Sequence, residues 1–129
     1  MTFEEYLRIE MEYFNPHYDQ FYQGLGLRFR RVNRKTHDVE ISMPRIYRIE
    51  EKTRMRYYED MLVEEVQDTE TKKPGWLYYC KAQRLLYSFA NAVAPYAIYL
   101  TYSINWPIFL DWYMHRREEF EGGESTQGY

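Results

Sequence analysis

The stretch "YRIEEKTR", Tyr47 to Arg54, decides how this chain folds. Tyr47 and Ile49 alternate with Arg48 and Glu50, the period of a strand with one buried face. Just upstream, in "THDVEISMPR" (residues 36–45), Val39 and Ile41 alternate with Asp38, Glu40 and Ser42, and the run stops at Pro44. Two such runs around a proline-containing turn predict a β-hairpin. A turn centred on Pro44 sets Asp38 opposite Glu50 and Glu40 opposite Arg48. Asp38, Glu40 and Ser42 then share a face with Ile46, Arg48, Glu50 and Lys52, while Val39, Ile41, Tyr47 and Ile49 take the other.

The flanking sequence supplies the remaining elements. In "TFEEYLRIEMEYF" (residues 2–14), Thr2 with Glu5 three residues on is a capping-box signature ahead of apolar residues at helical spacing. "NPHYDQFYQGLG" (15–26) opens at an Asn-Pro boundary, holds a further helical turn or two and ends at Gly24 and Gly26. "LRFRRVNRK" (27–35) reads as a strand with arginines on one side, and "DMLVEEV" (60–66) as a fourth strand. After the loop "TETKKPG" (69–75), Leu77, Cys80 or Lys81, Arg84, Leu85 and Phe89 fall at helical spacing within "GWLYYCKAQRLLYSFAN" (75–91), which predicts a helix. "YAIYLTY" (96–102) reads as a buried strand, and "WPIFLDWYMHRREEF" (106–120) as a last helix with Pro107 in its first turn. The expected organisation is a single domain over residues 1–121 with a flexible tail at 122–129, of the α/β class with a mixed sheet.

Composition narrows the field. A chain of 129 residues that is 45% hydrophobic and 29% charged has the make-up of one globular domain. Its 15 tyrosines suit an interface, a nucleic-acid surface, or a small core and its rim. A single cysteine, Cys80, excludes an intramolecular disulfide and, with no basic segment leading into an apolar one at the N-terminus, predicts a cytoplasmic, intracellular protein. The uncharged run Leu85–Leu110 is interrupted by Asn91, Pro95, Asn105 and Pro107 and divides into short elements, so no membrane partner is expected. A net charge of −3 argues against coating in nucleic acid by bulk charge and leaves room for a local basic track.

The polar face of the hairpin carries the chemistry. Ordinary cross-strand ion pairing, such as Glu40 with Arg48, accounts for part of it. Two carboxylates side by side, Asp38 and Glu50, are destabilising unless a cation lies between them. Mg²⁺ takes hard oxygen ligands and is typically held by one or two carboxylates plus substrate phosphate. Lys52, on the same face, is suited to orienting or deprotonating an attacking water or to neutralising phosphate charge. Together these groups suit metal-assisted phosphodiester hydrolysis.

Asp38, then Glu50-x-Lys52 across a hairpin, then "MLVEEV" and "KPGWLYYCKAQRLLYSFAN", resembles the PD-(D/E)xK nucleases over residues 31–91, and the Gly75-Trp76 start resembles small phage and bacterial members. The resemblance implies a restriction-endonuclease-like α-β-β-β-α-β core with helices flanking a mixed sheet. It also implies Mg²⁺- or Mn²⁺-dependent cleavage of DNA. By the same resemblance Asp38 and Glu50 are metal ligands, the backbone carbonyl of Glu51 completes the set, and Lys52 is the catalytic lysine. His37 stands where the family motif has Pro. The family often adds an acid from the first helix, for which Glu5, Glu10, Glu12 and Asp19 are all candidates.

Arg28, Arg30, Arg31, Arg34 and Lys35, with Lys72 and Lys73, suit a phosphate-tracking groove or a charged edge that discourages aggregation. Glu64 and Glu65 are placed to approach the metal or to pair with an arginine. His17, His37 and His115 lack zinc-ligand spacing, Cys80 reads as a core residue, and Gly24-x-Gly26 lacks the rest of a phosphate loop. The alternative on the same fold is a catalytically inactive module binding nucleic acid or protein. A homodimer is the arrangement by which so small a domain cuts both strands of a duplex.

Overall fold

Thr2 caps the first helix as its sequence predicts: its hydroxyl accepts from the Glu5 N–H at 3.1 Å, and the Glu5 carboxylate accepts from the Thr2 N–H at 2.9 Å. The structure is a computed structural model that describes residues 1–56, 66–68 and 73–119. Helix α1 (Phe3–Ile9) runs through a π-helical segment (Glu10–Phe14) into α2 (Asn15–Gly24). The expected boundary at Asn15-Pro16 is therefore a widened turn. Pro16 donates no N–H and its ring crowds the carbonyl four residues back, and just ahead of it the Asn15 N–H bonds the Glu10 carbonyl five back. Beyond Gly24, Gly26 turns the chain with φ at +71°.

The strands are β1 (Phe29–Arg31), β2 (Val39–Ser42), β3 (Ile46–Arg54), β4 (Val66–Asp68), β5 (Lys73–Pro74), β6 (Arg84–Ala90) and β7 (Ile98–Asn105). Five of them form a mixed sheet in the order β1-β2-β3-β6-β7, and β4 pairs with β5 apart from it. The hairpin register is the one read from Pro44: Val39 opposite Ile49, Glu40 opposite Arg48, Ile41 opposite Tyr47, Ser42 opposite Ile46. β3 and β6 run parallel, with Glu50 beside Leu85 and Lys52 beside Tyr87. The other pairs in the sheet are antiparallel.

Two expectations are corrected. The predicted helix 75–91 is helical only over α3 (Trp76–Tyr79); Cys80 turns extended, and Arg84–Ala90 is a central strand. Buried on both faces between β3 and β7, β6 is a continuous apolar run with no alternation, so Leu85 and Phe89 fit helical spacing equally well. β7, expected to be buried, is the edge of the sheet, with Tyr99 and Tyr102 about half exposed. The predicted strand at 60–66 lies outside the described residues except for Val66, as do the tail 122–129, Glu64, Glu65 and Lys72.

Helices cover both faces. Ile9, Phe14, Tyr18 and Tyr22 of the N-terminal helix pack on Val39, Ile41, Ile49 and Leu86. Opposite, Leu77 of α3 and Trp106 and Tyr113 of α4 (Trp106–His115) pack on Leu85, Tyr87 and Phe89. Asn105 caps α4 by accepting from the Ile108 N–H at 3.3 Å, and Pro107 sits in the first turn as expected. No described helix is long and apolar enough to cross a membrane.

Candidate active site

The site forms where the loop before β2 meets the middle of β3. The Asp38 N–H donates to the Ile49 carbonyl at 2.9 Å, and the Asp38 carbonyl accepts from the Val32 and Asn33 N–H groups at 2.8 and 3.0 Å. With its backbone fixed, the Asp38 carboxylate accepts from the Glu51 N–H at 2.7 Å. The Glu50 carboxyl, on a residue only 4% exposed, lies within hydrogen-bonding reach of Asp38. Burial first, and the Asp38 carboxyl second, hold Glu50 well above the usual carboxylate range, while Lys52 pulls it back. Asp38 and Glu50 thus meet, and Lys52 is near enough for its charge to act on Glu50 while its ammonium rests on the Trp76 ring.

Among the first-helix acids, Glu10 on the π segment feels this group. Burial, then Asp38, raise its carboxyl, and the Lys52 and Arg31 charges lower it. Asp19 instead pairs with Arg31 at 2.7 Å, and Glu5 serves the cap. Two close carboxylates, one of them buried and raised first by that burial and then by its neighbour, make a hard-oxygen donor pair that a divalent cation would satisfy. No three His, Cys, Asp or Glu side chains cluster as a metal-holding set among the described residues. An ion held by this pair would take its remaining ligands from main chain, water or substrate, as Mg²⁺ commonly does.

Glu51 faces the other way. Its carboxylate accepts from Arg31 at 2.6 and 3.3 Å and from the Tyr22 hydroxyl at 2.7 Å. Burial raises the Glu51 carboxyl, with the Arg31 and Tyr22 contacts drawing it back part of the way. Burial works against the Arg31 charge, but Glu51 and Asp19 more than offset it and keep the guanidinium firmly protonated. Arg31 is therefore committed inside the fold, with a side chain only 14% exposed, rather than standing with the exposed basic track. The sequence reading missed Tyr22 and this brace, which joins three elements and leaves no local signal.

A second polar chain flanks Asp38. Thr36 bonds His37 Nδ1 at 2.8 Å, and His37 Nε2 bonds Glu40 at 2.9 Å. Arg30 first, and His37 second, hold the Glu40 carboxyl down at about 2. Arg48 is opposite Glu40 in the register, yet the ion pairs of Glu40 go to Arg30 at 2.7 Å and Arg34 at 4.0 Å. Arg28, Arg30, Arg34 and Lys35 are exposed, as are Arg45, Arg48 and Lys81, which the sequence reading did not count with the basic track. Lys73 falls in β5. Cys80 is buried and its thiol is pushed up to about 12, as befits a core residue. The chain matches no family model, no curated protein and no solved structure.

Proposed function

We propose that the protein is a Mg²⁺- or Mn²⁺-dependent nuclease of the PD-(D/E)xK type that hydrolyses phosphodiester bonds of DNA. The observation that carries this reading is the pairing of buried Glu50 with Asp38, with Lys52 on the same face of the hairpin. The topology supports it: after the N-terminal helix, two antiparallel pairings are followed by a crossover containing α3 and a parallel strand. On this reading β4, β5, β7 and α4 would be additions to an α-β-β-β-α-β core.

Asp38 and Glu50 would hold the ion, with the Glu51 carbonyl as the further protein ligand. When bound, the ion supplies Lewis acidity to the phosphate and acidifies water. The Glu51 N–H keeps the Asp38 carboxylate aimed at the site. The Lys52 ammonium places a positive charge where the phosphate becomes more negative or fixes the attacking water. Arg28, Arg30, Arg34 and Lys35 hold flanking phosphates without reading sequence. Two copies of the chain would serve both strands of a duplex.

The test is cleavage of supercoiled plasmid and short single-stranded oligonucleotides with Mg²⁺ or Mn²⁺, comparing wild type with Lys52→Ala. Metal-dependent cutting that is lost in the variant supports the reading. Thermal stabilisation by either ion with no cutting of any substrate would replace it with the inactive binding module.

A further inference from the structure

Trp76 and Tyr79 lie one turn apart on α3 and so project from the same side of it. Each ring carries a lysine: Lys52 Nζ lies 5.2 Å from the Trp76 centroid, and Lys35 Nζ lies 5.0 Å from that of Tyr79. Lys35 belongs to the loop that leads into Asp38, and the chain just beyond α3 is tied to that loop by the Lys81 N–H, two residues past Tyr79, donating to the Thr36 carbonyl at 2.8 Å. Trp76 is anchored against Trp106, with centroids 5.2 Å apart, and Trp106 stacks in turn on Phe109. Trp76, supported by Trp106, and Tyr79 are therefore each covered by an ammonium, one from the strand that carries Glu50 and one from the loop that leads into Asp38.

Neither lysine has a carboxylate ion-pair partner among the described residues, although the chain holds 20 acids. An ammonium resting on a ring moves readily to a phosphate, because a full negative charge attracts it more strongly than a ring quadrupole. Once the lysines engage the backbone, the faces of Trp76 and Tyr79 are free beside the scissile phosphate. Such faces stack bases, and only unpaired bases offer theirs, since a duplex buries them in its own stack. From this juxtaposition we infer that the site takes a nucleic-acid strand whose bases are unpaired next to the cut, with Trp76 and Tyr79 as its stacking platform. The inference rests on the nuclease reading only for the position of the cut.

Binding without turnover tests it. In EDTA, fluorescence anisotropy is followed for labelled oligodeoxythymidylate, oligouridylate and the corresponding duplexes. Single strands should bind at least about tenfold more tightly than duplex. Tyr79→Ala should weaken single-strand binding roughly 5- to 150-fold, the worth of one stacked base, and leave duplex binding unchanged; Tyr79→Phe should keep it. Tryptophan quenching by the single strand should disappear in Trp76→Phe. Preference for the deoxy or the ribo strand assigns the source, and either supports the inference because both present the same base faces. Equal affinity for duplex, no binding at all, or a Tyr79→Ala loss shared equally by both substrates would overturn it. Metal-dependent cutting of duplex with Tyr79→Ala unaffected sinks the platform and spares the nuclease. Single-strand binding with these variant effects but no cutting does the reverse.

Discussion

Glu50 and Glu51 are neighbouring acids with opposite surroundings, and the difference is measurable. Glu50 is buried beside a like charge, so its folded-state pKa lies above the unfolded value. A carboxyl shifted upward contributes most to stability at low pH, and that contribution is lost as pH rises past the ordinary carboxylate range. Glu50→Gln should therefore raise the melting temperature at neutral pH in EDTA by the equivalent of about 1–3 kcal/mol, while removing any stabilisation by Mg²⁺. A calorimetric scan with and without the ion reads both effects. Glu51 is compensated by Arg31, so Arg31→Met leaves a buried charge unpaired and should cost about 3–5 kcal/mol. Denaturant titration of Arg31→Met, Glu51→Leu and the double variant checks this, and recovery in the double is expected. Glu40 is shifted the other way, to about 2. Its contribution is present above the unfolded value near about 4.3 and fades as pH falls toward the folded one. The melting temperatures of wild type and Glu40→Gln should therefore converge on acidification. The Asp38–Glu50 opposition was legible because hairpin register is simple counting around Pro44. The Arg31–Glu51–Tyr22 brace was not, because it needs α2, β1 and β3 already in place.

Elements were legible where a local signal was unopposed. The capping box at Thr2 and Pro107 in the first turn of α4 placed helix starts, because such signals act within one turn; the Asn105 cap was not read from the sequence. β6 was not legible as a strand because its burial on both faces depends on β3, some thirty residues earlier, and nothing in "RLLYSFA" reveals that partner. The same uncharged run leaves β7 as an edge strand eight residues long with no charged side chain. Natural edges usually carry a lysine, a proline or a bulge against pairing with other chains. β7 has only the register shift between Phe89 and Ala90 of its partner. Tyr102→Lys, at a position half exposed, should raise the concentration at which heated protein turns turbid, and light scattering during a thermal ramp would show it. A variant that clouds as readily as wild type would mean that the edge is not where molecules join.

At the scale of the whole molecule the net charge of −3 hides a local basic patch among the described residues. The N-terminal helix carries Glu4, Glu5, Glu10, Glu12 and Asp19 against Arg8. On the opposite side of the sheet lie Arg30, Arg48 and Lys52, with Arg34 and Lys35 in the loop beside them. The acids of that region, Asp38, Glu40 and Glu50, are turned into the site or paired. If this face meets phosphates, oligonucleotide affinity should fall steeply with salt, and Arg34→Ala combined with Lys35→Ala should flatten the slope of log affinity against log salt by about 1–2. Filter binding over a salt series measures it. The separation of sign across the sheet also acts before contact. A basic patch set apart from the exposed acids of the N-terminal helix would be turned toward a polyanion while still several ångströms of water away. Were the partner a nucleic-acid strand, encounters would be sorted by approach angle, and the acids of the N-terminal helix would help to set the speed of productive capture.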